Sequence, residues 1–574
     1  MNGDNIEYKI KNCLLDSLVG LGVNNPKVEL ARPELVFGDY TVNSAMVYAK
    51  ELGKNPREFA EIFVKGLCQL EGVVNVDIAG PGFINISLSK EAVRKEITRI
   101  NDIKYFETKY SGKKVLIEHS SPNLFKPFHI GHLMNNTIGE AIVRMTRSGG
   151  GEVAAMSFPS DVSLGIAKAV YWIDRNGGLK KMWQDGDDKN IIAYLGEAYV
   201  KGIKFYEDNI EEQEKIKELA DKIYNFEDIQ TYNSAKEINI NYFLKIVAEL
   251  GTHFDKLIYE SEAGLVGLRI VSENTTENGK KVFTKSQGAI VYIPDEARKD
   301  INTTVFINSQ GNPTYSAKDI GLIDLKFKNF NPHTSVYVTD NEQIPHFRTV
   351  FAAAEQIDEA WKDRVSKSLH VPHGRMTFKG AKMSSRLGGV PLAEDIIQVV
   401  MDEVRERSGE RVAGLSVEDK ESLFKDIALA AIKFSILRSK PGQNINFDPE
   451  TSLSFEGDSG PYVQYTHARC CSLIAKSGGI LPNQDTVLPI TDTERKLAQF
   501  EDVSKNAINE FAPQYIVTYL FELCQIFNSY YAQNHILVEG DSVGTAHRLW
   551  IVEQAKSVIA RGLEMLAVGA PEQM

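Results

Sequence analysis

The chain has 574 residues, 43% hydrophobic and 25% charged, with a formal net charge of −12. That length exceeds one hydrophobic core and predicts three to five domains of ordinary globular composition. No run of 18 apolar residues marks a transmembrane helix, and the acidic, amphipathic start MNGDNIEYKIKNCLLDSLVG lacks the layout of a secretion signal. The acid excess argues against a protein that coats nucleic acid by bulk charge, though it leaves room for a local basic groove. Five cysteines (Cys13, Cys68, Cys470, Cys471, Cys524) show no CxxC spacing. They point to buried thiols in a reducing cytoplasm rather than to zinc or disulfides.

Residues 1–108 alternate amphipathic helical runs with short strands, and NVDIAGPGFINISLS reads as two strands about a Pro-Gly turn. After the break YFETKYSGKK, KVLIEHSS looks like a buried strand. A loop with Pro122 and Pro127 follows, and GHLMNNTIGEAIVRMTRSGG predicts a helix that stops at a glycine pair. Strand, polar loop and helix in that order open a parallel α/β sheet. Residues 178–290 are richer in charge and read as an insertion, with DNIEEQEKIKELADKIY as a surface helix. TVFINSQGNPTYSAKDIGLIDLKF and TSVYVTDNEQIPHFRTVFAAAEQI resume the strand–helix pattern, and HVPHGRMTFKGAKMSSRLGG ends in a glycine-rich loop. From about 392 onward the pattern is nearly all helical, with LPNQDTVLPI as an internal linker.

Two stretches carry chemistry. In SSPNLFKPFHIGHL, His129 and His132 flank Gly131, and Lys126 stands three residues ahead. A metal pair lacks a third ligand and any HExxH frame. Two core histidines would be common, but would not explain the strand-to-helix junction. A helix N-terminus attracts polyphosphate through its free N–H groups and dipole. Histidine donors placed there can stabilise charge developing on a phosphate under attack, and Gly131 would let a flat purine approach the backbone. The second stretch, FKGAKMSSRLGG, puts Lys382 and Arg386 in a loop with three glycines and two serines. Such a basic loop suits closure over phosphates, although by itself it reads better as a solvated turn.

The HIGH of His129–His132 and the KMSSR of Lys382–Arg386 resemble the two signatures of class I aminoacyl-tRNA synthetases. Together with NPTYSAKDI, SLSFEGDSGPYVQYTHAR and the closing APEQM they are similar to the arginyl-tRNA synthetase family over essentially the whole chain. The resemblance implies an α/β fold: a class I Rossmann-like catalytic domain with an insertion, an α+β N-terminal domain and an all-α C-terminal anticodon-binding domain. It divides the chain into 1–108 (tRNA-contacting), 109–395 (catalytic, insertion at about 178–290), 396–454 (helical stem contact) and 455–574 (anticodon-binding). It implies an arginine–tRNA ligase that makes arginyl-adenylate from L-arginine and ATP. Transfer to the 2′-hydroxyl of the tRNA's terminal adenosine follows.

By the same resemblance, His129, Gly131, His132, His373, Gly374, Met376, Lys382 and Ser384 meet ATP, with Lys126 and Arg386 as further catalytic cations. Glu118, Asn123 and His129 hold the amino-acid end of the substrate, while Tyr315, Asp319 and Gln343 form the specificity face. Tyr315 and Asp319, four apart on a helix, face one way, and a guanidinium calls for a carboxylate and an aromatic wall. Mg²⁺ is expected to travel with ATP, with no protein-caged metal. The partners are tRNA for arginine, ATP and L-arginine, with no membrane, and a monomer is expected.

Three departures from the family stand out. Ser385 replaces a loop lysine, SFPSDVSLGIAK stands where a GDWG-like segment is common, with Asp161 and Gly165 as its equivalents, and Lys318 replaces an arginine, a change of little effect if that side chain points outward. Residues 441–574 hold sixteen acidic and eight basic residues, so stacking and base-edge contacts fit an anticodon reader better than charge. Tyr465, Tyr530, Tyr531 and Met574 are candidates there, and Phe37, Tyr40 and Asn43 at the tRNA elbow. Two rivals share parts of the pattern: a small-molecule nucleotidyl transferase, which needs no helical C-terminal third, and a non-catalytic RNA-binding relative, which needs no intact signatures.

Overall fold

The computed structural model describes residues 5–178, 188–276, 282–378, 391–408, 414–454, 457–484 and 487–574. Strands β1 (Tyr40–Val42), β2 (Val73–Ala79) and β3 (Phe83–Leu88) form an antiparallel sheet of order β1-β3-β2, packed with the helices Ile6–Gly20, Pro56–Leu67 and Lys90–Asp102. The Pro-Gly turn expected between β2 and β3 is present, and Asp39 Oδ2 closes the sheet edge by accepting from the Leu88 N–H.

The chain then builds β4 (Lys114–Glu118), β5 (Glu152–Ser157) and β6 (Lys256–Leu257). A small side sheet follows: β7 (Thr275–Thr276), β8 (Phe283–Ser286), β9 (Ala289–Tyr292) and β10 (Thr304–Ile307). β11 (Thr334–Asp340) and β12 (Ser368–His373) then complete a five-stranded parallel sheet of order β12-β11-β4-β5-β6. Val115, Leu116 and Ile117 are buried along β4, the central strand. Between β5 and β6 lie the helices Leu164–Arg175, Asp188–Asp208, Gln213–Tyr224 and Gln230–Glu249. Strands β13 (Met376–Phe378) and β14 (Ile445–Phe447) make a short parallel pair.

This is a Rossmann-like parallel sheet: at the point where strand order reverses, next to β4, the carboxyl ends of the strands leave a crevice for ligand. Beyond it the chain is helical. Val417–Leu437, Gly460–Ala475, Gln514–Gln533 and Ser542–Met565 pack around Ile432, Val463, Leu520 and Ile559. The N-terminal α+β domain is ion-paired to this bundle, with Arg94 to Glu494 at 2.6 Å and both side chains fully buried. Among the described residues no helix is long and apolar enough to cross a membrane. The cysteines are only partly buried as expected: Cys470 and Cys524 are buried, Cys13 and Cys471 intermediate, and Cys68 exposed.

Candidate active site

The loop after β4 is strained and pinned. Ser120 and Phe125 adopt positive φ (55° and 62°), conformations that cost free energy unless the surroundings enforce them. Asn135 enforces the first: its Oδ1 accepts from the Ser120 N–H, and its Nδ2 donates to the Val338 carbonyl and to His373 Nε2. One amide thus ties the ends of β4, β11 and β12 together. The Leu124 N–H and Pro122 carbonyl pair with Ser160 beyond β5.

His129 caps the helix Ile130–Ser148. Its Nδ1 accepts from the Gly131 N–H at 3.1 Å, and its own N–H donates to His132 Nδ1 at 3.2 Å. The rings stack 3.8 Å apart. Because both Nδ1 atoms accept, both ring protons sit on Nε2. Burial, reinforced by Lys126, lowers the His129 pKa, and burial, His129 and Lys126 push His132 down to about 3. At neutral pH the pair is therefore two uncharged Nε2–H donors at a helix N-terminus, the arrangement that stabilises charge on a phosphate. Gly131 departs from expectation: a Cβ there would stand 3.0 Å from His129 Cε1, so the glycine makes room for the histidine ring. Among the described residues no group of three or more His, Cys, Asp or Glu is placed to hold a metal ion.

Lys382, Ser384, Ser385 and Arg386 lie outside the described residues. The flanks of their segment are fixed at the site, however. Phe378 closes β13, while on the far side the Pro391 carbonyl accepts from the Ile130 N–H and the Ala393 N–H donates to Phe128. Backbone hydrogen bonds thereby join the first signature stretch to the chain that follows this segment. His373, its pKa lowered by burial, donates from Nδ1 to the Gly374 carbonyl. A Cβ on Gly374 would fall 2.1 Å from the Gln443 carbonyl oxygen. Met376 is buried beside them, in register with Ile445.

Across the crevice the helix Tyr315–Phe330 presents Tyr315, 60% exposed, and Asp319 one turn later. Gln343, exposed, ends the short turn Asn341–Gln343. His346 Nε2 lies 2.5 Å from Asp319 Oδ2. Asn123 and Lys126 are exposed on the opposite loop, with Lys126 Nζ 4.8 Å from the centroid of the Tyr199 ring.

The geometry bears on five residues singled out from the sequence. Glu118 is buried and ion-paired with Lys326, whose Nζ lies 3.2 Å from the centre of the Tyr337 ring, so it braces β4 against the Tyr315–Phe330 helix. Lys318 does not point outward: it is 3% exposed and donates to Glu260 at 2.6 Å and to the Val162 carbonyl. Asp161 is fully buried, accepting from Lys236 and from both the N–H and hydroxyl of Ser261. Gly165 instead makes room for Tyr199, whose hydroxyl would be 2.5 Å from a Cβ there. Tyr40 is 2% exposed beneath Arg32, which donates to its hydroxyl at 2.7 Å, so it cannot stack on a base.

Phe37 and Asn43 are exposed beside Tyr40. In the helical bundle Tyr465 and Tyr531, both half-exposed, flank Arg469 with ring centres 4.9 Å from its guanidinium carbon, while Tyr530 and Met574 are partly buried. Sequence reasoning missed the roles of Asn135, Lys326, Glu260 and His346. For His346 a signal was present: it falls three residues after Gln343 in DNEQIPHF.

Comparison with known proteins agrees with this geometry. Residues 97–448 match the family profile described as "tRNA synthetases class I (R), catalytic domain". Residues 4–88 match "Arginyl tRNA synthetase N terminal domain", and 463–574 match "DALR anticodon binding domain". The chain is 29% identical over 560 residues to the arginine–tRNA ligase of Clostridium botulinum, covering 94% of this chain and 95% of that one. With that of Halothermothrix orenii it shares 28% identity over 587 residues, covering 99% and 100%. The solved arginyl-tRNA synthetase of Thermus thermophilus superposes with a TM-score of 0.83 at 25% identity, covering 99% of this chain and 100% of that one. The catalytic profile spans more than half of the sequence and the two others flank it, so the chain belongs to the arginyl-tRNA synthetase family of class I tRNA synthetases.

Proposed function

We propose that the chain is an ATP-dependent arginine–tRNA ligase. The observation that carries this reading is the pairing of two neutral histidine donors at the start of the Ile130–Ser148 helix with the Asp319 carboxylate on the facing helix. The arginine carboxylate attacks the α-phosphorus of ATP, the P–O bond to pyrophosphate breaks, and arginyl-adenylate forms. The 2′-hydroxyl of the terminal adenosine of tRNA then attacks the arginyl carbonyl, releasing AMP. No covalent enzyme intermediate is needed; positioning and charge stabilisation supply the rate.

In this reading His129 and His132 donate to ATP phosphates, Gly131 makes room for the His129 ring, and His373, Gly374 and Met376 border the nucleotide. Lys126, Lys382 and Arg386 supply positive charge and Ser384 a hydroxyl. Mg²⁺ arrives with the ATP phosphates as part of the substrate. Asn123 and His129 hold the amino-acid end of arginine, and Tyr315, Asp319 and Gln343 its guanidinium. Phe37 and Asn43 face the tRNA elbow; Tyr465, Tyr531 and Met574 face the anticodon loop. The protein works as a cytoplasmic monomer.

ATP–pyrophosphate exchange with arginine, run with and without tRNA, tests the proposal. Arginine-dependent exchange that rises when tRNA is added is the expected result. Exchange that ignores arginine would point to a small-molecule nucleotidyl transferase. Complete absence of exchange, with tRNA binding intact, would leave an RNA-binding protein.

A further inference from the structure

One of the two oxygens of Asp319 is already held. His346 Nε2 stands 2.5 Å from Asp319 Oδ2, and the two residues come from different helices, Ile344–Ala354 and Tyr315–Phe330. A neutral ring can make this bond to a carboxylate only with its proton on Nε2. The ring is itself braced: Phe347 packs edge-on against it at 5.6 Å, and His370 of β12 packs on Phe347 at 4.5 Å. Terminal carboxylate torsions are broad, so a fixed donor on one oxygen removes freedom that guanidinium binding would otherwise have to remove.

We propose that His346 is the positioning residue of arginine recognition: it holds Asp319 Oδ2 so that Oδ1 is presented to the guanidinium group, and its protonation cancels the charge on which that recognition depends. This deepens the reading of Asp319 given above and rests on it.

The surroundings favour His346 as the group that titrates. Burial alone would lower its pKa, but the hydrogen bond to Asp319 and the charge of that carboxylate outweigh burial and raise it. His370, the other ionisable ring on this wall, is pushed down to about 4 by burial, His373 and His346, so it stays neutral. Behind Asp319 lie Glu118 with Lys326, and Glu260 with Lys318, each a closed ion pair. As pH falls through the raised pKa, His346 gains a proton, the His–Asp pair becomes neutral overall, and its pull on guanidinium weakens.

Steady-state aminoacylation at saturating ATP and tRNA, between pH 6 and 9, tests this with His346→Gln, His346→Phe and Asp319→Asn. In the wild type, kcat/KM for arginine should rise through a pKa above 6.5 while kcat changes less. His346→Gln keeps a donor but cannot titrate. It should hold the arginine KM within roughly threefold at pH 8.5 and lose that pKa, whereas His346→Phe should raise the arginine KM about tenfold or more and leave the ATP KM alone. An unchanged acid limb in His346→Gln, or a wild-type or lower arginine KM in His346→Phe, overturns the proposal; a lower KM would mean that the ring merely occupies the guanidinium seat. Should His346→Phe fail to fold, the pH profile of His346→Gln decides. The underlying reading is tested separately: an Asp319→Asn enzyme with a normal arginine KM removes Asp319 from the site. If Asp319→Asn loses arginine while both His346 variants behave as wild type, only the positioning role falls.

Discussion

Lys126 is the residue whose environment bears most directly on the family's missing loop lysine. Ser385 cannot supply charge, and Lys126 sits close enough to His129 and His132 to lower both their pKa values. Lys126→Ala should slow single-turnover adenylate formation by roughly ten- to a thousandfold, the scale of losing one charge-stabilising donor. Arginine binding should change far less, and Ser385→Lys in that background should recover part of the rate. Wild-type adenylation in Lys126→Ala would hand the role to Arg386. The buried histidines carry a second prediction. His119 and His132 are held neutral, mainly by burial, with pKa values near 3 against 6.5 for an ordinary histidine. Below pH 6.5 the unfolded chain takes up protons that the folded chain refuses, so stability contributed at neutral pH is lost as pH falls from 6.5 toward 3. Calorimetric unfolding should show Tm falling through that window. The signature histidines could be read from sequence because a helix start constrains residue type within a few positions. Tyr40 could not, because its burial depends on Arg32, which is itself fixed by Asp502, 470 positions away.

At the scale of elements, the specificity face depends on how closely two helices approach. A Cβ on Gly267, in the helix Glu260–Glu273, would fall 1.8 Å from the Ala317 carbonyl oxygen, and one on Gly321 would fall 1.9 Å from that of Ala263. Asp319 rides on the helix these contacts seat. Gly321→Ala must push the helices apart, at a cost of about 1–3 kcal/mol or more. It should also raise the arginine KM while leaving the ATP KM nearly unchanged. Equal loss of both in a fully folded variant would show that the crossing does not aim Asp319. Strand–loop–helix order gave the parallel sheet from pattern alone, since hydrophobic period and glycine stops are local signals. The inward turn of Lys318 was not legible, because its partner Glu260 lies 58 positions upstream, on the far side of the side sheet. An ion pair between elements leaves no mark on either element's periodicity.

For the whole molecule, the N-terminal domain and the helical bundle are fastened by a row of ion pairs, one of which water does not reach. Arg94 meets Glu494 with both side chains fully buried, and Arg32–Asp502, Arg99–Glu501 and Arg495–Asp39 reinforce the seam. Removing one member of a buried pair strands the other. Glu494→Gln should therefore cost about 3–5 kcal/mol, and the two domains should still unfold in one transition. Two separate transitions in a denaturant titration would show that the seam does not couple them. Deleting residues from 455 onward should abolish charging, because anticodon contacts are lost and Arg94, Arg32 and Arg99 lose Glu494, Asp502 and Glu501 at once. A truncated protein that folds and charges tRNA with a normal KM would contradict this. The same seam sets a schedule during synthesis. Arg94 leaves the ribosome 400 positions ahead of Glu494, which at typical elongation rates is a wait of roughly 20–80 s. For that interval the nascent N-terminal domain shows an unfinished face, and chaperone occupancy should concentrate there until the last helices emerge.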